Sequence, residues 1–419
     1  MQKLSSKLSL YPAIGDFKDF GDHWESLIIE NGQHWLKLGA AILDDGTYAQ
    51  ARALPRLNPI VSAYALPNVG TAVRGITLAN GNIVTGVSAT GGKTINVSTD
   101  GGATWANKTV TGSTTHNEVT ELATAGTTVV ATCDYNATAT NRFMHSTDSG
   151  VTWNSTGPSE TASWDGLACK PDGSLWVAAK SLAGTLGFSR TSPDGVAWTD
   201  RTPAGLTSVT SISRIRWSAL MDTFIGSGGG SSSKFFTTSD GINFTDITPA
   251  GVSAAVFYDL FEVGSVMYMP GARTLTGGTS QPGYWKSTDN GATWTFTTYA
   301  TIAALANYAS AWEMRYLGGM FYFMSTGNNV FPVFVTSADL ITFSSPKPAY
   351  TGISTAYRSF VIQSSFKCGN RLAIGMTNGG QIYDLPLASQ YVGAPSYTQS
   401  PTSNSTLLQQ QFGKFVRIK

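Results

Sequence analysis

Ser98-Thr99-Asp100-Gly101-Gly102-Ala103-Thr104-Trp105 is the first of six copies of one short pattern. The next three are Ser146-Thr147-Asp148-Ser149-Gly150-Val151-Thr152-Trp153, Ser192-Pro193-Asp194-Gly195-Val196-Ala197-Trp198 and Ser239-Asp240-Gly241-Ile242-Asn243-Phe244. The last two are Ser287-Thr288-Asp289-Asn290-Gly291-Ala292-Thr293-Trp294 and Ser337-Ala338-Asp339-Leu340-Ile341-Thr342-Phe343. Successive aspartates lie 48, 46, 46, 49 and 50 residues apart. A fixed period of this length marks a propeller or a solenoid.

Within each copy the residue types spell a turn. The Asp side chain accepts backbone N–H bonds from residues just ahead of it and pins a tight reversal. Gly supplies the positive φ that the reversal needs. The Thr and aromatic residue that follow open a strand, with Trp or Phe packing inward. Each copy is therefore a β-hairpin with a hydrophobic anchor, and Trp105, Trp153, Trp198 and Trp294 are expected to be buried. The copies resemble the Asp-box, or BNR repeat, of sialidases, some glucan-cleaving enzymes and sortilin-type receptors. The resemblance is full in four copies; the copies at Asp240 and Asp339 are shortened and carry Phe for Trp. It implies a β-propeller in which the aspartates are scaffold on the rim rather than catalysts.

Ahead of each copy runs a pair of apolar, alternating segments, such as Gly75-Ile76-Thr77-Leu78 with Asn82-Ile83-Val84-Thr85, and Leu260-Phe261-Glu262-Val263 with Val266-Met267-Tyr268-Met269. Two strands plus the hairpin make a four-stranded blade. A seventh unit follows the last copy, at 359–362, 372–375 and 381–384, and Asp384 stands 45 residues past Asp339. It has no fourth strand of its own, and Ser62-Ala63-Tyr64-Ala65-Leu66-Pro67 has no blade of its own. The expectation is an all-β, seven-bladed β-propeller over 58–388 in which 62–67 close the ring and remove a free sheet edge.

The other two regions differ in composition. Of the first 57 residues 13 are charged, against 40 of the remaining 362. This segment lacks the repeat and carries an Asn31-Gly32 turn signal between Leu27-Ile28-Ile29 and Trp35-Leu36-Lys37-Leu38, a hairpin pattern. Residues 1–57 are read as an attachment region, marginal as a free domain, that docks on its own copies, on the propeller or on a partner. Residues 389–419 form a Ser/Gln/Pro-rich tail whose end, Phe412-Gly413-Lys414-Phe415-Val416-Arg417-Ile418-Lys419, alternates like a strand or a docking peptide.

Net charge is +1, which gives no ground for a nucleic-acid partner or an anionic membrane surface. Three cysteines are too few and too scattered for a disulfide framework. No metal-ligand pattern occurs and no cofactor is expected. The chain starts without the apolar core of a secretory signal, and no apolar run reaches membrane-spanning length.

One further periodic feature lies outside the turn motif. A charged residue stands near the start of each inner strand: Arg74, Glu118, Asp165, Arg214, Asp259, Glu313 and Arg358. Each precedes its blade's phased aspartate by 26 to 30 residues, although Arg216 could stand in for Arg214. Aromatics precede four of them: Trp164, Tyr258, Trp312 and Tyr357. Inner strands line the channel of a propeller, so these residues should ring one mouth of it. They form either a ligand face, where rings stack on sugars, or a set of ion pairs that lock neighbouring blades.

The sialidase activity within the resembled family implies an early Phe/Tyr-Arg-Ile-Pro motif, a three-arginine clamp and a Tyr/Glu pair. The nearest string here, Arg214-Ile215-Arg216-Trp217, lacks the Pro and comes in the fourth blade. A non-enzymatic role is therefore favoured. The layout resembles that of a tailed-bacteriophage tail fibre or receptor-binding protein. It implies a virion protein, attached to tail proteins through 1–57 as a homotrimer, that presents the propeller to a host-surface glycan or receptor. The alternative is an Asp-box propeller glycosidase using two of Asp165, Asp259 and Glu313.

Overall fold

Short runs rich in β-branched and aromatic residues, broken by Asn-Gly, Asp-Gly and Gly-Gly steps, leave the backbone little choice but antiparallel hairpins. The computed structural model describes residues 17–19, 27–30, 33–37, 61–65, 73–87, 95–112, 119–133, 143–156, 163–181, 189–205, 212–228, 233–302, 312–317, 319–325, 333–341, 343, 347–348, 362–368, 371–376, 379–384 and 414–417. Among them are strands, turns and one 3-10 turn at Tyr299–Thr301, with no α-helix. Among the described residues no helix is long and apolar enough to cross a membrane.

The chain forms two compact units. The larger comprises 64–316 and 321–383; the smaller comprises 1–63, 317–320 and 384–419.

Six sheets are each made from one continuous run of chain. Blade 1 consists of Val73–Thr77, Ile83–Val87, Ile95–Ser98 and Ala106–Lys108. Blade 2 is Val119–Ala125, Thr128–Cys133, Phe143–Ser146 and Trp153–Thr156, with Val110–Thr111 added in parallel at its outer edge. Blade 3 follows with Ser163–Cys169, Trp176–Ser181, Ser189–Ser192 and Thr199–Arg201. Blade 4 has Ile212–Ser218, Thr223–Gly228, Phe235–Thr238 and Thr245–Asp246. In blade 5 two short strands, Val252–Phe257 and Phe261–Val263, share the long partner Val266–Leu275, followed by Ser280–Ser287 and Thr295–Thr298. Blade 6 is Trp312–Leu317, Met320–Ser325, Val333–Ser337 and Lys347–Pro348.

The expected seven-bladed propeller is corrected here: the arrangement is six-bladed, each blade made from one continuous run of chain. Ile362–Cys368, Arg371–Met376 and Gly379–Asp384 do not complete a blade from their own run of chain. They take Val61–Ala65 as a fourth strand and make a composite sheet. It has no turn motif, because Asp384 ends a strand instead of opening a hairpin. The segment expected to supply this strand, 62–67, does so over 62–65; residues 66–67 lie outside the described residues.

First strands of successive sheets run side by side, from Ile362–Cys368 to Val73–Thr77, Val119–Ala125, Ser163–Cys169 and Ile212–Ser218. They are therefore the inner strands. The cores lie between blades, where the face of one sheet meets the next. Val84, Val97, Leu122, Val129 and Trp153 fill the border of blades 1 and 2. Phe143, Trp164, Leu167 and Trp176 fill the next. Ile225, Phe235, Phe257, Met269 and Trp285 join blades 4 and 5.

In the smaller unit the expected hairpin is present, with Leu27–Glu30 paired to Gln33–Lys37 around Asn31-Gly32. The tail supplies Lys414–Arg417 to the same sheet, between Gln33–Lys37 and Phe17–Asp19. The register sets Phe17, Val416, Leu36 and Leu27 in one row across all four strands.

Candidate functional site: an axial charge cluster

The turn motifs are closed hydrogen-bonded units. In the first, Ser98 Oγ donates to Asp100 Oδ1 at 2.8 Å and accepts the Gly102 N–H at 2.8 Å. The same carboxylate accepts the Thr104 N–H at 2.9 Å and the Thr104 hydroxyl at 2.6 Å. Asp148 and Asp289 repeat this set with Thr152 and Thr293. These donors hold the Asp100 carboxyl at about 2, below its ordinary 3.8. In the fourth copy Thr238, one residue before the expected Ser239, supplies the hydroxyl to Asp240. The Trp anchors are not alike: Trp153 is 1% exposed, whereas Trp105, Trp198 and Trp294 are half-buried. With both carboxylate oxygens spent inside its own turn, Asp100 has the bonding of a scaffold residue.

The charged residues meet elsewhere. Several inner strands share a device that sequence spacing hides: a β-bulge. In blade 2 the register slips between Val119 and Glu121, in blade 3 between Ser163 and Gly166, in blade 4 between Ile212 and Arg214. The composite sheet slips between Ile362 and Ser364. In blade 5 the inner strand breaks at Tyr258–Leu260, opposite Pro270, which has no N–H to offer a ladder. A bulge re-aims side chains. Here it sets Glu121, Asp165, Arg214 and Asp259 at one level, the fourth or fifth rung from the tight turn, with Arg74 at the fourth.

At that level the blades exchange charge. Arg216 donates from Nε to Asp259 Oδ1 at 2.8 Å and from Nη2 to Glu121 Oε2 at 3.0 Å. Its Nη1 bonds the Ile215 carbonyl at 2.9 Å. Arg315 Nη1 reaches the other Asp259 oxygen at 3.2 Å. The chain Glu121–Arg216–Asp259–Arg315 thus ties blades 2, 4, 5 and 6, and its step from blade 2 to blade 4 passes over blade 3. Burial alone would raise the Asp259 pKa; Arg315 and Arg216 outweigh it and hold the carboxyl below the ordinary range. Arg74 donates from Nε to the Thr120 carbonyl at 3.0 Å, and Arg214 Nη1 lies 3.5 Å from the Asp165 carbonyl. Burial lowers the Arg214 pKa; Glu121 acts against this, while Arg74 and Arg216 add to it. The Asp165 carboxylate also works to raise this pKa.

Of the expected ring, Arg74, Asp165, Arg214 and Asp259 come together. Glu118, Tyr357 and Arg358 lie outside the described residues, and Trp312 and Glu313 are described in backbone only. Glu121, Arg216 and Arg315 were missed as members of one network, because their ion pairs join strands far apart in sequence and leave no local pattern. Trp164 is fully buried at a blade border, 4.9 Å from Phe143, with Lys180 and Arg190 against its ring. That is a packing position. Tyr258 is 40% exposed. No group of three or more metal-ligating side chains occurs among the described residues.

No protein-family model matches the chain, and no curated protein does. Solved structures do. YCF48 bound to D1 peptide is similar at 14% identity and a TM-score of 0.52, over 83% of this chain and 99% of that one. The chain is a β-propeller. The propeller is also similar to the GH74 enzyme of Niastella koreensis, at 17% identity and a TM-score of 0.46, over 77% of this chain and 44% of that one. The WD40 propeller domain of Doa1 gives 10% and 0.48, over 80% of this chain and 100% of that one. At these identities the likeness concerns fold alone.

Proposed function

We propose that the chain is a non-catalytic binding protein of a virion tail, carried through its N-terminal region and presenting the propeller to a host-surface glycan or protein. One observation carries the non-catalytic part: Asp259, a carboxylate at the level where a cleft acid would be sought, has both oxygens engaged by arginines. A glycosidase needs one carboxyl kept protonated as general acid and a second as base or nucleophile. Asp259 is held ionised, which is wrong for the acid, and both of its oxygens are taken by guanidinium donors, which leaves none for the work of a base or nucleophile.

Chain connectivity favours one end of the propeller as the presenting face. The first two strands of a blade meet through tight turns, such as Asn80-Gly81 and Asp172-Gly173. Connections at the other end run longer, as in 88–94, 134–142 and 182–188, and are rich in Gly, Thr and Asn. Binding residues concentrate on such connections above a rigid scaffold. The charge break near residue 57 and the resemblance in layout to tail fibres support attachment through 1–57, by trimerisation and contact with tail proteins. Many copies on one particle would make weak glycan contacts sufficient.

The test is particle composition and adsorption. The full chain is expected in purified particles, and a variant lacking 1–57 is expected to be absent from them while the clustered fragment still binds host cells. Normal incorporation of the shortened chain, or a full chain confined to host cytosol, contradicts the proposal.

A further inference from the structure

The first and last described strands of the chain meet in one sheet. Lys414–Arg417 lies between Phe17–Asp19 and Gln33–Lys37 and pairs antiparallel with both. Phe415 stands opposite Lys18 on one side and Lys37 on the other; Val416 stands opposite Phe17 and Leu36. Among the described residues Phe17–Asp19 pairs with Lys414–Arg417 and with no other strand. Leu27–Glu30 pairs with Gln33–Lys37 as a hairpin. Without Lys414–Arg417 the sheet falls into that hairpin and a three-residue strand with nothing to pair with. An isolated hairpin is marginally stable at best in water, whereas three or more strands hold together. The late strand is therefore what makes a sheet of the early segment.

The two contributions are far apart in sequence. Between Lys37 and Lys414 lie 376 residues. Every strand of the six blades and of the composite sheet falls in that interval. The sheet cannot be completed until the chain has been made through the whole propeller.

We propose that Lys414–Arg417 is the completing strand of the attachment module, so that a chain becomes competent for attachment only after its propeller has been made. This rests on the attachment reading above, which gives that role to residues 1–57, and adds the last strand to it. The arrangement keeps prematurely ended chains, which have an attachment segment but no whole propeller to present, off the particle. Completion works as strand addition does, through main-chain hydrogen bonds. In an interior strand each N–H faces one neighbouring strand or the other, so a proline there removes a ladder bond whichever way the N–H points.

The experiment compares the full chain with a variant lacking 414–419 and with Phe415→Pro. Ser403→Pro, in the same tail but ahead of the strand, is the control. Hydrogen exchange of the Gln33–Lys37 amides and the content of purified particles are measured for each. Both strand variants should exchange roughly tenfold faster or more at 33–37, with propeller amides unchanged, and should be missing from particles. The control should match the full chain in both measurements. Unchanged exchange at 33–37 in both strand variants, or their normal incorporation, overturns this inference alone. Absence of the unaltered chain from particles sinks the attachment reading and this inference with it.

Discussion

An aspartate in the turn motif works by local hydrogen bonding. Asp100, Asp148, Asp240 and Asp289 are each held at about 2, against an ordinary 3.8. For Asp100 and Asp289 the Thr hydroxyl and backbone bonds lead; for Asp148 and Asp240 burial pushes up and the same kinds of bond overcome it. The folded value lies below the unfolded one. Their stabilisation is therefore complete above the unfolded value and is lost as pH falls through it toward about 2. Tm should be level at mildly acidic pH and drop steeply below about pH 4. Replacing two of these aspartates by Asn should flatten that drop, and an unchanged acid profile in the variant would contradict the assignment. The motif was legible in sequence because its function is local. Leu340 shows the tolerance of the turn: it adopts φ 61° where Gly195 and Gly241 adopt 79° and 72°. Packing of Leu340 against the aromatic cluster of blades 5 and 6 offsets that strain.

At the scale of the blade, the anchor's worth depends on which border it faces. Trp153 packs with Val84, Val97 and Leu122, and its indole N–H bonds the Gly150 carbonyl at 3.0 Å. Trp153→Ala should cost about 3–5 kcal/mol in chemical denaturation. Trp105→Ala should cost visibly less, since Trp105 is only half-buried. Equal losses would show that burial does not rank the copies. Sequence gave no sign of this difference, because the four Trp copies read alike. The bulges were equally hidden: Thr120 is the extra residue in blade 2, and nothing in the spacing marks it or the place of Glu121 in the network. The hairpin at Asn31-Gly32 was readable, being a turn signal with flanking apolar runs. The pairing of the tail strand with that hairpin was not, since pairing across nearly the whole chain leaves no local trace.

Over the propeller as a whole, the account turns on the axis. Charges from blades 2, 4, 5 and 6 are paired with each other in a setting of low exposure: the side chains of Glu121, Arg216, Asp259 and Arg315 are 8%, 23%, 25% and 16% exposed. Removing one partner from such a set leaves a buried charge uncompensated. The composite sheet explains why counting repeats gave seven blades where the arrangement is six-bladed: the last unit keeps the phase of the repeat but lacks the motif and borrows a strand from residues 61–65. The most direct test of the axial lock is a double-mutant cycle on Arg216 and Glu121, read by equilibrium unfolding together with an assay for sugar release from bacterial polysaccharides. Arg216→Gln alone should cost about 3–5 kcal/mol. Adding Glu121→Gln should cost less than the sum of the two single changes, and no protein in the series should release sugar. Unaltered stability in Arg216→Gln, joined to polysaccharide cleavage by the unaltered protein that Glu121→Gln or Asp259→Asn abolishes, would contradict the account and make the axis an active site.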